Sequence, residues 1–165
     1  LGTDKMRPLV IMSPKSLLRN QRVAQPVDAF VDGSFKEIIV DEYDKSKIST
    51  VLLSSGKMAV DLMDAMDKNK DETKLLIRLE QLYPFPDEQI KEILDELPSL
   101  KSIRFVQEEP ENMGAYQYAL PLIQELAPSD VDVEYVGRIK RASPAEGSNE
   151  AYKAIQQKII DNALE

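Results

Sequence analysis

Thr50-Val51-Leu52-Leu53-Ser54-Ser55-Gly56-Lys57-Met58, answered further on by Lys74-Leu75-Leu76-Ile77-Arg78-Leu79, decides how this chain folds. The first five residues are an apolar run short enough for a buried strand. Ser55-Gly56 then breaks the run as a turn. Lys57 to Asp67 follows with Met58, Leu62 and Met66 four residues apart, the spacing of one helix face. Lys74 to Leu79 is apolar and strand-like again. A strand, a helix and a second strand in that order form a βαβ unit, and its two strands must run parallel.

The same alternation continues towards the C-terminus. Asp87 to Glu96 reads as a helix with an Ile90, Ile93, Leu94 and Leu97 stripe, and Asp87 is its expected N-cap after Pro86. Ser102 to Gln107 is the next strand, and Ala115 to Leu126 a helix stopped before Pro128. Asp132 to Val136 is a further strand. Asn149 to Leu164 closes the chain as a helix, with Tyr152, Ile155, Ile159 and Ala163 on one side. On the other flank, Phe35 to Val40 is a strand whose link to Thr50 is too short for a crossover helix, so it should lie antiparallel at an edge. Right-handed crossovers put helices on both faces. The expected fold is a three-layer α/β/α arrangement of a five-stranded, mostly parallel sheet with one antiparallel edge strand. Earlier still, Leu9 to Met12 reads as a short strand, Pro14 opens a basic helical turn, and Gln21 to Gly33 is a connection.

The composition excludes several classes of function. With no Cys, there are no disulfides, thiol nucleophiles or thiolate metal sites, and the chain fits a cytoplasmic protein. With no His, the usual general base near neutral pH and a common metal ligand are both missing, which argues against a free-standing hydrolase or zinc enzyme. A net charge of −8 disfavours nucleic-acid backbones as partners. No run is long enough to span a membrane. The chain begins at Leu1 rather than Met and has no signal-peptide h-region, so it reads as a piece of a longer polypeptide.

Five groups of residues invite a functional reading. Ser54-Ser55-Gly56-Lys57 leads into a helix N-terminus, which can bind an anion, although a tight turn explains it without one. Lys15, Arg19 and Arg22 would share a helix face suited to phosphate or carboxylate. Glu108, Glu109 and Glu111 follow a strand on the side of the sheet where open α/β folds bind ligands; the plainer reading is helix capping and interface bonding. Arg138, Lys140 and Arg141 form a basic loop that solvation alone would explain. Tyr83-Pro84-Phe85-Pro86 is an interface anchor if exposed and a core lid if buried. None of these amounts to a self-sufficient catalytic or metal site.

Several spaced segments resemble the C-terminal region of the E1 component of 2-oxoglutarate dehydrogenase. They are Arg7-Pro8-Leu9-Val10-Ile11-Met12-Ser13-Pro14-Lys15-Ser16-Leu17-Leu18-Arg19, Ser55-Gly56-Lys57 and Arg78-Leu79-Glu80-Gln81-Leu82-Tyr83-Pro84-Phe85-Pro86. Beyond these come Val106-Gln107-Glu108-Glu109-Pro110-Glu111-Asn112-Met113-Gly114-Ala115, Tyr135-Val136-Gly137-Arg138 and Ser143-Pro144-Ala145-x-Gly147. The resemblance implies a thiamine-diphosphate and Mg-dependent enzyme that decarboxylates 2-oxoglutarate and passes the succinyl group to the lipoyl arm of an E2 partner. It implies a homodimer, with residues 1–26 as the tail of a preceding domain and 27–165 as the transketolase-like C-terminal domain.

The family's catalytic and cofactor-binding residues would lie upstream of Leu1, so none is assigned here and this segment alone is expected to be inactive. The resemblance further implies an acyl-CoA effector site, onto which Lys15, Arg19 and Gln107 map, and an interface role for Tyr83, Phe85, Glu108 and Glu109. Two positions where many relatives carry His hold Asn20 and Tyr152 instead, which weakens any proton-transfer role. The competing readings are a free-standing acyl-CoA or anion-binding module and a purely structural dimerisation domain.

Overall fold

A computed structural model describes residues 10, 11 and 13–165 and divides the chain into two units, up to Gly33 and from Ser34 to Glu165. The first unit holds two 3-10 turns, Lys15–Leu17 and Gln21–Val23, and one short helix, α1, at Asp28–Val31. Asn20 Oδ1 accepts from the Arg22 amide at 2.9 Å and so caps the second turn. Two separate turns replace the single basic helix expected there, and Lys15, Arg19 and Arg22 therefore do not share one helix face. The connection from Gln21 to Gly33 contains local structure of its own. Val10 and Ile11 lie in no strand; Leu9 and Met12 fall outside the described residues.

The second unit is one five-stranded sheet in the order β1-β3-β2-β4-β5. Its strands are β1 Ile38–Val40, β2 Thr50–Ser54, β3 Lys74–Leu79, β4 Ser102–Pro110 and β5 Asp132–Arg138. The helices are α2 Gly56–Asn69, α3 Asp87–Asp95, α4 Tyr116–Leu126 and α5 Asn149–Leu164. β1 pairs antiparallel with β3, whereas β2–β3, β2–β4 and β4–β5 are parallel. The mixed three-layer sheet expected from the alternation of elements is the one observed.

Period-two alternation sorts the strand residues between two cores. Val51, Leu53, Leu75, Ile77, Leu79, Ile103 and Phe105 face one way and meet Phe85, Ile90, Leu94 and Leu97 from α3 and its flanks, with Ala119 and Ile123 of α4. Leu52, Leu76 and Val106 face the other way and meet Met58, Ala59 and Leu62 of α2, with Ile159, Ile160 and Ala163 of α5. Helix α2 starts where Gly56 takes φ +59°, a left-handed conformation that a side chain would strain. It runs to Asn69 and ends on Lys70, also left-handed, whose amide bonds to the Met66 carbonyl. Asp87 is the first residue of α3 rather than its cap: Pro86 holds the cap position, and Asp87 Oδ1 accepts from the Glu88 amide at 3.0 Å.

Strand order and helix placement together locate the reversal point. From β2 the chain passes through α2 on one face to β3; it then crosses back past β2, through α3 on the opposite face, to β4. The loops leaving β2 and β4 therefore diverge to opposite faces at the carboxyl ends of those strands. In open α/β sheets this is the position where ligands bind.

Candidate functional site at the carboxyl edge of the sheet

Strand β4 runs three residues past its expected end, to Pro110, so Glu108 and Glu109 belong to the strand rather than to the loop after it. The organiser of that loop is Gln107, only 5% exposed. Its Nε2 donates towards the carbonyls of Glu109 at 3.2 Å, Pro110 at 3.1 Å and Met113 at 2.9 Å. Its Oε1 accepts from the Tyr116 amide at 3.1 Å, which caps α4. The capping expected of the neighbouring glutamates is thus done by Gln107. A turn this tight brings Gly114, at φ +66°, so close that an added Cβ would lie 2.9 Å from Gln107 Oε1.

Arg138, at the end of β5, is 3% exposed, although a basic loop there was expected to be solvated. Its Nε lies 3.1 Å from Glu146 Oε1, and its Nη2 lies 3.4 Å from both Glu146 Oε2 and Gln156 Oε1. Nη1 donates to the Glu108 carbonyl, which ties β5 to β4. Arg141 Nη1 reaches the same Glu146 at 2.7 Å. The Arg138 guanidinium holds the Glu146 carboxyl below the ordinary carboxylate range, with Arg141 adding to the effect.

The network extends into the helices. Gln156 Nε2 donates to Asp61 Oδ2 at 2.9 Å, and Asp61 is paired with Lys57. The Tyr152 ring lies close to two cations, 5.9 Å from Lys57 Nζ and 5.7 Å from the Arg138 guanidinium carbon. Burial, followed by the nearby Glu108 carboxylate, pushes the Tyr152 phenol up. Tyr135 donates its hydroxyl to the Arg138 carbonyl at 2.9 Å and packs on Tyr116 with ring centroids 4.4 Å apart; burial raises its phenol to about 12. Ser54 Oγ, at the end of β2, is fully buried without a hydrogen-bond partner.

These contacts show where the expected site residues stand. Lys57 is paired with Asp61 and lies 5.9 Å from the Tyr152 ring centroid, after a turn that Gly56 makes with φ +59°. Phe85 is buried at 9% as a core lid, whereas Tyr83 is 81% exposed. Tyr118 bridges them, its ring centroid 6.2 Å from that of Tyr83 and 6.3 Å from that of Phe85. Glu109 is exposed and Glu108 half-buried; Lys15 and Arg19 are exposed in the first unit, while Gln107 belongs to the second. The Arg138–Glu146 pair went unread in the sequence. Its signal was an arginine ending an apolar strand, with an acid eight residues on in the Ser143-Pro144-Ala145-Glu146-Gly147 segment. Two grooves, of 520 and 530 Å³, lie elsewhere: one between α2 and α5, the other at the amino ends of β2 and β3.

The fold is that of a transketolase-like α/β domain. A split-gene transketolase, solved as an inactive beta4 tetramer, superposes with a TM-score of 0.56 at 17% identity, over 79% of this chain and 41% of that one. Sequence comparison is more specific. A family model for the 2-oxoglutarate dehydrogenase C-terminal region matches residues 25–164. The 2-oxoglutarate dehydrogenase E1 components of Staphylococcus aureus strains JH9 and Newman are each 50% identical over 164 residues. The chain belongs to the 2-oxoglutarate dehydrogenase C-terminal family. Those alignments cover 99% of this chain and 18% of each relative.

Proposed function

We propose that this chain is the non-catalytic C-terminal segment of a cytoplasmic 2-oxoglutarate dehydrogenase E1. Residues 1–26 are the end of a preceding domain and 27–165 the C-terminal domain proper. The parent enzyme decarboxylates 2-oxoglutarate with thiamine diphosphate and Mg²⁺, passes the succinyl group to the lipoyl arm of its E2 partner, and works as a homodimer. The observation that carries a supporting role is how the carboxyl edge is used. There the buried polar side chains, Ser54 apart, are bonded to one another and to loop carbonyls.

Among the described residues, no group of three or more His, Cys, Asp or Glu is placed to hold a metal ion. The two cations nearest the reversal point, Lys57 and Arg138, already face Asp61 and Glu146. No described helix is long and apolar enough to cross a membrane. The exposed Tyr83, held against Tyr118, supports a contact with the second subunit. An aromatic fixed by its neighbours gives up little entropy on binding.

The test is 2-oxoglutarate-dependent reduction of an artificial electron acceptor, with thiamine diphosphate and Mg²⁺ supplied. The full-length parent should turn over and the 165-residue chain should not. A chain that turns over by itself would overturn the non-catalytic reading, and an inactive parent would overturn the assignment of activity.

Acyl-CoA regulation is the finer part of the proposal. Lys15 and Arg19 offer exposed cations for CoA phosphates. Gln107 contributes only by shaping its loop, since its amide is fully used. Titration calorimetry with millimolar acetyl-CoA should give heat with the full-length protein, and Lys15→Ala and Arg19→Ala should each remove it. A flat wild-type titration ends the effector reading for this protein.

A further inference from the structure

We infer that the loops following β4 and β5 form one preset docking surface, with Ile139 as its apolar contact, for the remainder of the longer E1 polypeptide. This rests on the function proposed above. The two loops are locked to each other. Asn112 Nδ2 donates to the Arg141 carbonyl at 2.8 Å, and the Arg141 amide donates back to Asn112 Oδ1 at 2.9 Å. The Glu111 amide donates to the Arg138 carbonyl at 2.9 Å, and Lys140 lies 3.5 Å from Glu111. Below them, the buried Arg138–Glu146 pair fixes both ends of the turn.

Ile139 sits within this lock and is 73% exposed. A solvated loop gains nothing from an exposed isoleucine. A loop whose backbone is already fixed loses little further freedom when it meets a partner, so the contact costs less entropy to form.

Two observations select the occupant. First, the chain spans 18% of the length of its E1 relatives, so most of such a polypeptide lies outside it. Second, the surface is one apolar residue rimmed by charge: Lys140 is 69% exposed, Arg141 32% and Glu111 30% at the side chain. Contacts between domains of one chain have this more polar character, whereas obligate subunit interfaces are more apolar. Four of the six segments that carry the family resemblance lie in or next to this part of the second unit. The 106–115, 135–138 and 143–147 stretches lie within or beside the lock, and 55–57 opens the adjacent α2.

Amide hydrogen exchange on the full-length parent and on the 165-residue chain, side by side, tests this. The peptide spanning 138–142 should exchange at least about ten-fold more slowly in the parent, while the 41–47 loop at the opposite edge of the sheet exchanges alike in both. Ile139→Asp should leave the melting temperature of the 165-residue chain unchanged, lower that of the parent, and remove the added protection. Equal exchange of 138–142 in the two proteins overturns the inference. Protection that vanishes when the parent is diluted to monomers overturns the occupant and assigns the surface to the second subunit. A parent that is protected at 138–142 but inactive on 2-oxoglutarate sinks the functional reading and leaves the docking surface standing.

Discussion

Arg138→Ala is expected to cost about 3 kcal/mol of unfolding free energy at neutral pH, the low end of what breaking a buried ion pair costs. The low end applies because Glu146 keeps Arg141, 2.7 Å away, so its charge is not left wholly uncompensated. In a domain of this size the loss lowers Tm by roughly 6–12 °C. The cost comes from the stranded partner more than from the lost attraction. Arg138 and Glu146 side chains are 2% and 5% exposed, so water cannot rehydrate the carboxylate without opening the loop. Replacing both members, as in Arg138→Met with Glu146→Leu, should therefore recover most of the stability. Chemical denaturation of the three variants decides the matter. A single mutant as stable as the double would mean the pair is solvated and the lock loose.

The pH dependence has a definite sign. The Glu146 carboxyl is held below its ordinary value in the folded state. Its contribution is therefore present above the ordinary carboxylate range and is lost as pH falls through the lowered folded value. Wild type and Arg138→Ala should converge in acid for that reason, with the gap closing below about pH 4.

The layout of the sheet was legible because it rests on local patterns. Apolar runs at 50–54, 74–79 and 102–107, separated by helical stripes, call for parallel strands joined by right-handed crossovers, but they do not fix the order of those strands. The antiparallel edge strand followed from loop length alone. What the sequence hid was pairing over distance. Arg138 looked like one of three basic loop residues because its partners Glu146 and Gln156 lie eight and eighteen residues away, and Glu108 thirty away by its carbonyl. Gln107 looked like a ligand-binding amide because nothing in a linear reading shows that three carbonyls will curl back onto it. The basic face at Lys15, Arg19 and Arg22 failed for a local reason. Asn20 prefers to bond the Arg22 backbone, which starts a new turn instead of extending a helix. Phe85 and Tyr83 are two residues apart, yet one is buried in the core and the other exposed, and both meet Tyr118, which no spacing rule connects to them.

Gln107→Glu should produce the other large effect, and its pH profile should identify the cause. The substitution keeps the shape of the side chain and the acceptor for the Tyr116 amide, but it removes the NH₂ group that faces three carbonyls. An ionised carboxylate would then face the Glu109, Pro110 and Met113 oxygens where donors stood at 2.9 to 3.2 Å. Leaving such acceptors unmet inside a 5% exposed position costs about 1–3 kcal/mol, and the added charge raises it to several kcal/mol at pH 7. Protonation restores one donor, so folding raises the pKa of the new carboxyl above its unfolded value. The penalty is then complete above the folded pKa and shrinks as pH falls towards the unfolded one. Gln107→Leu has no such group, and its deficit should be smaller at pH 7 and flat with pH. Melting temperatures measured from about pH 4.5 to 8 for the wild type and both variants provide the readout. If Gln107→Glu is as stable as wild type at pH 8, the amide is not what closes the β4–α4 loop. If both variants show the same flat deficit, the new carboxylate is solvated rather than held against the three carbonyls.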